Sequence, residues 1–172
     1  MNKFVYNYFS SFAENSIKDS LSLVYNTSVP VIVCIGSDLA IGDSLGPLIG
    51  TILSKTLQGK AYVYGTLTSP VTAKETATIS KTIRLLHPKS KILAIDAGVG
   101  EKADVGLIKV GDYGIKPGLG VNKTLPIIGD ASIIGIVAEK NNALSNITSS
   151  TRLNLVYNMS NVIANAIQKY LA

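Results

Sequence analysis

Apolar positions along the chain fall into two rhythms. Short, nearly continuous apolar runs occupy residues 31–35, 61–67, 92–95, 106–110 and 132–137. Runs of that length predict strands buried on both faces, as in a parallel sheet covered by helices. Between the first two, Leu45, Leu48, Ile49, Ile52 and Leu53 recur at three and four, which is one helical stripe. Gly59 is placed to cap the end of that helix. Thr72 and Glu75 have capping-box spacing, Ile79, Ile83 and Leu86 supply a second stripe, and Pro88 forbids continuation. A last long helix is expected from about Ser149 or Ser150, with Val156, Met159, Ile163, Ile167 and Tyr170 on one face. Phe4, Tyr8, Phe12 and Ile17 predict an amphipathic helix within residues 1–29. Residues 111–129 are rich in Gly and Pro and have no period. A loop of about nineteen residues in a compact domain tends to be functional.

Strands alternating with helices predict an α/β fold, a three-layer α/β/α sandwich with a mostly parallel sheet. Residues 30–172 form that single domain, and residues 1–29 are expected as an N-terminal extension packed on it. Right-handed crossovers place the first and third strands side by side.

Composition narrows the function classes. The 172 residues are 47% apolar and 16% charged, which is the balance of a globular protein with a real core. Mean hydropathy is positive, yet no stretch approaches the roughly 20 apolar residues of a membrane span. The N-terminus lacks the apolar core of a secretory signal. The net charge of +5 is dispersed and no recognition motif accompanies it, so no nucleic-acid partner is expected. Cys34 stands alone inside an apolar run, as a buried small hydrophobe, and a chain without a disulfide framework suits the cytoplasm. Oligomeric state is not written in any of these features.

Candidate chemistry gathers at two acids. Asp43 closes Val31-Ile-Val-Cys-Ile-Gly-Ser-Asp-Leu-Ala-Ile-Gly-Asp-Ser-Leu-Gly-Pro47, an apolar run followed by a Gly-rich loop and a helix start. Asp96 interrupts Lys91-Ile-Leu-Ala-Ile-Asp-Ala-Gly-Val-Gly100, where an apolar run meets small residues. Each has a plain alternative: Asp43 as a helix N-cap, Asp96 as the first solvated residue after a strand. The carboxyl ends of adjacent parallel strands, however, form the ligand crevice of open α/β sheets. Gly36 and Gly42 let the intervening loop turn sharply, which a cap does not need. Two carboxylates in such a crevice raise one another's proton affinity and share a proton. The pair could then activate a water against a carbonyl and protonate a leaving amine. Metal ligation is the alternative use of the same acids.

The remaining groups add less. Asp38, Asp104 and Asp112 are further acids in adjacent loops, Asp38 reading first as a turn residue. His87, the single histidine, precedes Pro88 at a helix end and caps the helix dipole, which leaves no Ser-His-Asp or Cys-His machinery. With no Cys cluster either, neither a tight transition-metal site nor another cofactor is expected, while oxygen-rich Ca or Mg binding stays open. Gly36, Ser37, Asp38 and Gly98 beside the acids are substrate-binding candidates, as are Lys116, Gly120, Asn122 and Lys123 in the long loop. These loop residues read equally as surface.

Three motifs in order carry a resemblance: residues 34–47, Ile95-Asp-Ala-Gly98, and Lys116-Pro-Gly-Leu-Gly-Val-Asn-Lys123. Over about residues 30–165 the chain resembles the YyaC family of spore-former proteins. That family is similar to the germination protease of spores and, more distantly, to hydrogenase maturation endopeptidases. The resemblance implies an atypical aspartic peptidase of α/β sandwich fold, acting on a protein or peptide in the forespore or spore core. It places Asp43 in the Asp-x-Leu-Gly-Pro context of an essential aspartate, and Asp96 where both relatives carry an aspartate after an apolar strand. Ser37 stands where those relatives usually have Asn, and the histidine completing the metal site of maturation enzymes has no counterpart after Asp96. The competing class is a non-catalytic sporulation protein that uses the same crevice to hold a peptide or protein tail.

Overall fold

The computed structural model describes residues 2–117, 126–140 and 151–172. Six strands, β1 (Lys3–Asn7), β2 (Val31–Cys34), β3 (Tyr62–Tyr64), β4 (Ile92–Gly100), β5 (Leu107–Gly111) and β6 (Ala131–Glu139), form one sheet. Their order is β1-β5-β6-β4-β2-β3. The run β3-β2-β4-β6 is parallel, and β5 and β1 are added antiparallel at the far side. The first and third of the expected strands, β2 and β4, are neighbours, with Val31 opposite Ile92 and Cys34 opposite Ile95. Residues 101–106 are too few for a parallel crossover, which needs a dozen or more, so β5 returns antiparallel.

The helices are α1 (Ala13–Val24), α2 (Leu45–Thr56), α3 (Thr76–Leu86) and α4 (Leu153–Tyr170). Side chains alternate across the strands and divide the core in two. Ile32, Cys34, Leu93, Ile95 and Ile133 pack with Ile17 and Leu21 of α1, Ile49 of α2 and Ile163 of α4. On the other face Val31, Val33, Ile35, Ile92 and Ala94 pack with Ile83 of α3 and with Ile115 and Ile128. Among the described residues, three helices therefore lie on one side of the sheet and one on the other. The stripe of α4 is as expected: Val156, Met159, Ile163 and Ile167 are fully buried. The helix begins at Leu153, and Ser149 and Ser150 lie outside the described residues.

Local signals act as their chemistry requires. The Glu75 carboxylate accepts the Thr72 N–H at 3.0 Å, the backward half of a capping box, although α3 itself begins at Thr76. Gly59 adopts φ +77° just past α2.

The helix expected across Phe4, Tyr8, Phe12 and Ile17 is instead a strand followed by α1. Phe4 and Tyr6 turn towards the core while Lys3, Val5 and Asn7 stay exposed, an alternation of two that pairs residue by residue with β5. Phe4 and Tyr8, four apart, satisfied the helical rhythm as well; β5, about a hundred residues on, decides. The strand expected over 61–67 stops at Tyr64, because Gly65 turns at φ +87° with its Cα against the Cys34 carbonyl. The strand expected over 92–95 continues to Gly100, because β6 carries its pairing on.

Candidate functional site

At the carboxyl end of β2 the chain makes one more rung and leaves the sheet. Ile35 N–H donates to the Ile95 carbonyl at 2.7 Å, and Gly36 N–H to the Val71 carbonyl at 2.9 Å. The loop then folds back so that Ser37 N–H meets the Asp43 carbonyl at 3.1 Å. This closure needs Gly36, which has φ +138° and where a Cβ would stand 2.0 Å from the Asp43 carbonyl oxygen. Asp43 lies in a short 3-10 turn, Gly42–Ser44, that feeds directly into α2. At the N-terminus of α2 a Cβ on Gly46 would stand 2.1 Å from the Ile35 carbonyl oxygen, so α2 sits on the strand end itself. The Asp43 carboxylate is thereby delivered beside β4.

Asp96 is the fifth residue of β4, directly after the last pair between β2 and β4. Its side chain shares the sheet face of Ile92 and Ala94, the face covered by α3 and by Ile115 and Ile128. It is 9% exposed. Burial pushes its carboxyl well above the usual carboxylate range, and the charge of Asp43 adds to that push. The Ala97 N–H, donating to Asp96 Oδ1 at 2.8 Å, opposes it. Asp43 is half-buried, and burial raises its proton affinity too, against the Ser37 backbone N–H. The charge of Asp43 thus reaches Asp96 at the end of the strand pair. The two acids differ in degree: Asp96 holds a proton more firmly.

The plain alternatives fare differently. Ser44, not Asp43, occupies the N-cap position of α2, and neither α2 nor the 3-10 turn has a side-chain cap. Asp96 is a buried strand residue and not the first solvated residue of a loop.

Among the other candidates, Ser37 is buried, with its Oγ accepting the Leu39 N–H at 3.2 Å, so it shapes the loop. Asp38 is exposed in the turn. Gly98 lies two residues beyond Asp96 on the same strand, where a Cβ would stand 2.8 Å from Ile134 Cγ2. Close packing on β6 accounts for that glycine. Lys116 is exposed, one residue past the Ile115–Ile128 bridge that closes the long loop. Gly120, Asn122 and Lys123 lie outside the described residues.

Two features of the site were not read from the sequence. Leu39 and Ile41 stand exposed on the loop that carries Asp43, and Tyr25 anchors the other end of the same strand pair. The Tyr25 hydroxyl lies 2.9 Å from the Val31 carbonyl and 3.0 Å from the Lys91 carbonyl, and it accepts the Val31 N–H at 2.9 Å.

The donor chemistry does not suit a resident transition metal. Among the described residues no three His, Cys, Asp or Glu side chains gather. His87 Nε2 is bonded to the Tyr64 hydroxyl at 2.9 Å and its ring stacks on Tyr62, at the sheet edge. It is the C-cap residue of α3. Cys34 is fully buried, and burial raises its thiol far above the ordinary range. Two carboxylates without imidazole or thiolate are a poor match for nickel or zinc. Among the described residues no helix is long and apolar enough to cross a membrane.

Comparison with known proteins extends these observations. The chain is 43% identical over 137 residues to the uncharacterized protein YyaC of Bacillus subtilis (strain 168), covering 80% of this chain and 67% of that protein. Its fold is similar to the crystal structure of a NiFe hydrogenase maturation protease, HycI from Thermococcus kodakarensis KOD1. That match has a TM-score of 0.56 at 14% identity and covers 91% of this chain and 98% of the other. At such identity the likeness is one of fold. Residues 2–166 match the family described as protein of unknown function, DUF1256, and the chain belongs to that family.

Proposed function

We propose that the protein is a peptidase in which Asp43 and Asp96 share a proton and hydrolyse a peptide bond. The observation that carries this reading is the buried Asp96 carboxyl, held towards its protonated form by burial and by the charge of Asp43 at the same crevice. A protease-like fold supports it, as does the resemblance of the Asp43 motif to that of the germination protease.

The asymmetry between the two acids assigns their roles. Asp96, the more deeply buried, holds a proton the more firmly and is the acid; Asp43, nearer solvent, gives its proton up the more readily and is the base. The Ala97 N–H occupies Asp96 Oδ1, which leaves Oδ2 to carry the proton. Asp43 takes a proton from a water whose oxygen attacks the scissile carbonyl carbon. As the C–N bond breaks, Asp96 gives its proton to the departing nitrogen. Asp43 is then protonated and Asp96 ionised, and one proton passed between them restores the pair. Protein or peptide chains are the proposed substrate class, and the forespore or spore core is the compartment that the resemblance implies.

The test compares Asp43→Asn and Asp96→Asn with the wild type for cleavage of a small, acid-soluble spore-protein-like substrate, alongside thermal unfolding. Asn keeps size and most hydrogen bonding while removing the shared proton. Each substitution alone should abolish cleavage while the fold persists. Full cleavage by either variant ends the dyad. A wild type that binds the substrate without cutting it identifies a binding protein using the same crevice.

A further inference from the structure

β4 runs four residues beyond Asp96, and over that stretch one of its edges has no strand beside it among the described residues. β2 pairs with β4 only as far as Cys34 opposite Ile95. After the rung from Ile35 N–H to the Ile95 carbonyl, Gly36 carries the chain out of the sheet towards Asp43. On the other edge β6 keeps pairing, with a register shift between Gly98 and Val99, through Gly100 opposite Glu139. Among the described residues no strand takes the place of β2 beside residues 97–100. Backbone groups along a strand face its two edges in turn. The Ile95 carbonyl faces β2, so Ala97, two residues on, faces the same open side. Its N–H is accepted by Asp96 Oδ1 and not by a strand. Burial changes at the same point: residues 92–96 are buried, whereas 97–100 are half-exposed although β4 lies inside the sheet.

We propose that this open edge of β4 receives an extended peptide as an added strand, and that substrate reaches the two carboxylates in this way. The inference rests on the peptidase reading and supplies its mode of binding. Strand addition takes its affinity from main-chain hydrogen bonds and its specificity from alternate side chains. The edge begins at Ala97, next to the acid, and continues the line of β2, so a strand laid along it starts beside the acid. The substrate class that fits is a segment that can be drawn out straight, such as a flexible tail or loop. A helix, or a backbone blocked at alternate amides, does not fit.

A random dodecapeptide library is panned against the Asp43→Asn variant, which prevents turnover. The tightest binder is then resynthesised with a single N-methyl group at each backbone position in turn. Strand addition predicts binding weakened about tenfold at every second amide along the docked run, and changed less than about twofold between them. Amide resonances of Ala97 to Gly100 in the labelled protein should shift with the peptide. A scan with no period of two, or binders that leave those resonances unmoved, overturns the proposal, as does a library with no binder. Cleavage of the same peptide by the wild type is read separately. A period of two without cleavage keeps the edge and removes the dyad, and cleavage without that period does the reverse.

Discussion

The carbonyl oxygen of Asp43 rests 2.0 Å from the point where a Cβ on Gly36 would stand, and it accepts the Ser37 N–H at 3.1 Å. The end of β2 and the turn carrying the acid are therefore clasped backbone to backbone, with no room for a methyl group between them. Gly36→Ala adds that methyl at a φ of +138°. Left-handed strain and a backbone clash together should lower stability by about 3 kcal/mol, read as a lower urea midpoint. Activity should fall further than stability, since Asp43 must move. An unchanged midpoint would show that the loop yields freely.

The contribution of Asp96 to stability should fall as pH rises through the acidic range. Asp96 binds its proton more firmly folded than unfolded, where an Asp titrates near about 3.9. The folded state then binds more protons than the unfolded one, and the slope of unfolding free energy against pH is negative. The contribution is fully present below about pH 4 and is lost as pH rises through the raised folded value. Asp96→Asn removes this slope, so the variant should equal the wild type near about pH 4 and exceed it in melting temperature at neutral pH. Parallel curves for the two proteins across that range would contradict the assignment.

Tyr25→Phe removes a hydroxyl that ties β2 to β4 at the end of the sheet opposite the acids. The Val31 N–H is left with only a 3.4 Å contact to the Lys91 carbonyl. A buried donor deprived of its partner costs about 1–3 kcal/mol, measurable by chemical denaturation. Cleavage at a temperature well below the transition should be unchanged, which separates this anchor from the site.

His87 should be dispensable for chemistry. Its ring is engaged by Tyr62 and Tyr64, so His87→Asn should cost roughly 1 kcal/mol of stability and leave cleavage intact. Protein purified without chelator should contain no stoichiometric nickel or zinc by elemental analysis, and added chelator should not slow cleavage. One tightly held equivalent of either metal would point to ligands other than the two carboxylates.

Much of the architecture was legible in the order of apolar residues. Runs around Ile32, Leu93 and Ile133 are apolar on both faces, and they form the parallel centre of the sheet because helices cover both sides. Asp96 stood out in the sequence because a charge seldom interrupts an apolar run without a reason, and Asp43 because a Gly-rich loop leads to it. Gly36 was legible as a turn, though not as the seat of a carbonyl. Three things needed the tertiary structure. Residues 3–7 became a strand because β5 offered them an edge, and local spacing does not encode a partner about a hundred residues away. The difference between Asp43 and Asp96 arises from burial and from the charge that Asp43 sets beside Asp96, neither of which belongs to a residue on its own. β4 outruns β2, pairing with it only as far as Ile95 while pairing with β6 as far as Gly100. Each run is a local property, but where one strand stops relative to its neighbour is a relation between segments distant in sequence, and only the packed chain sets it.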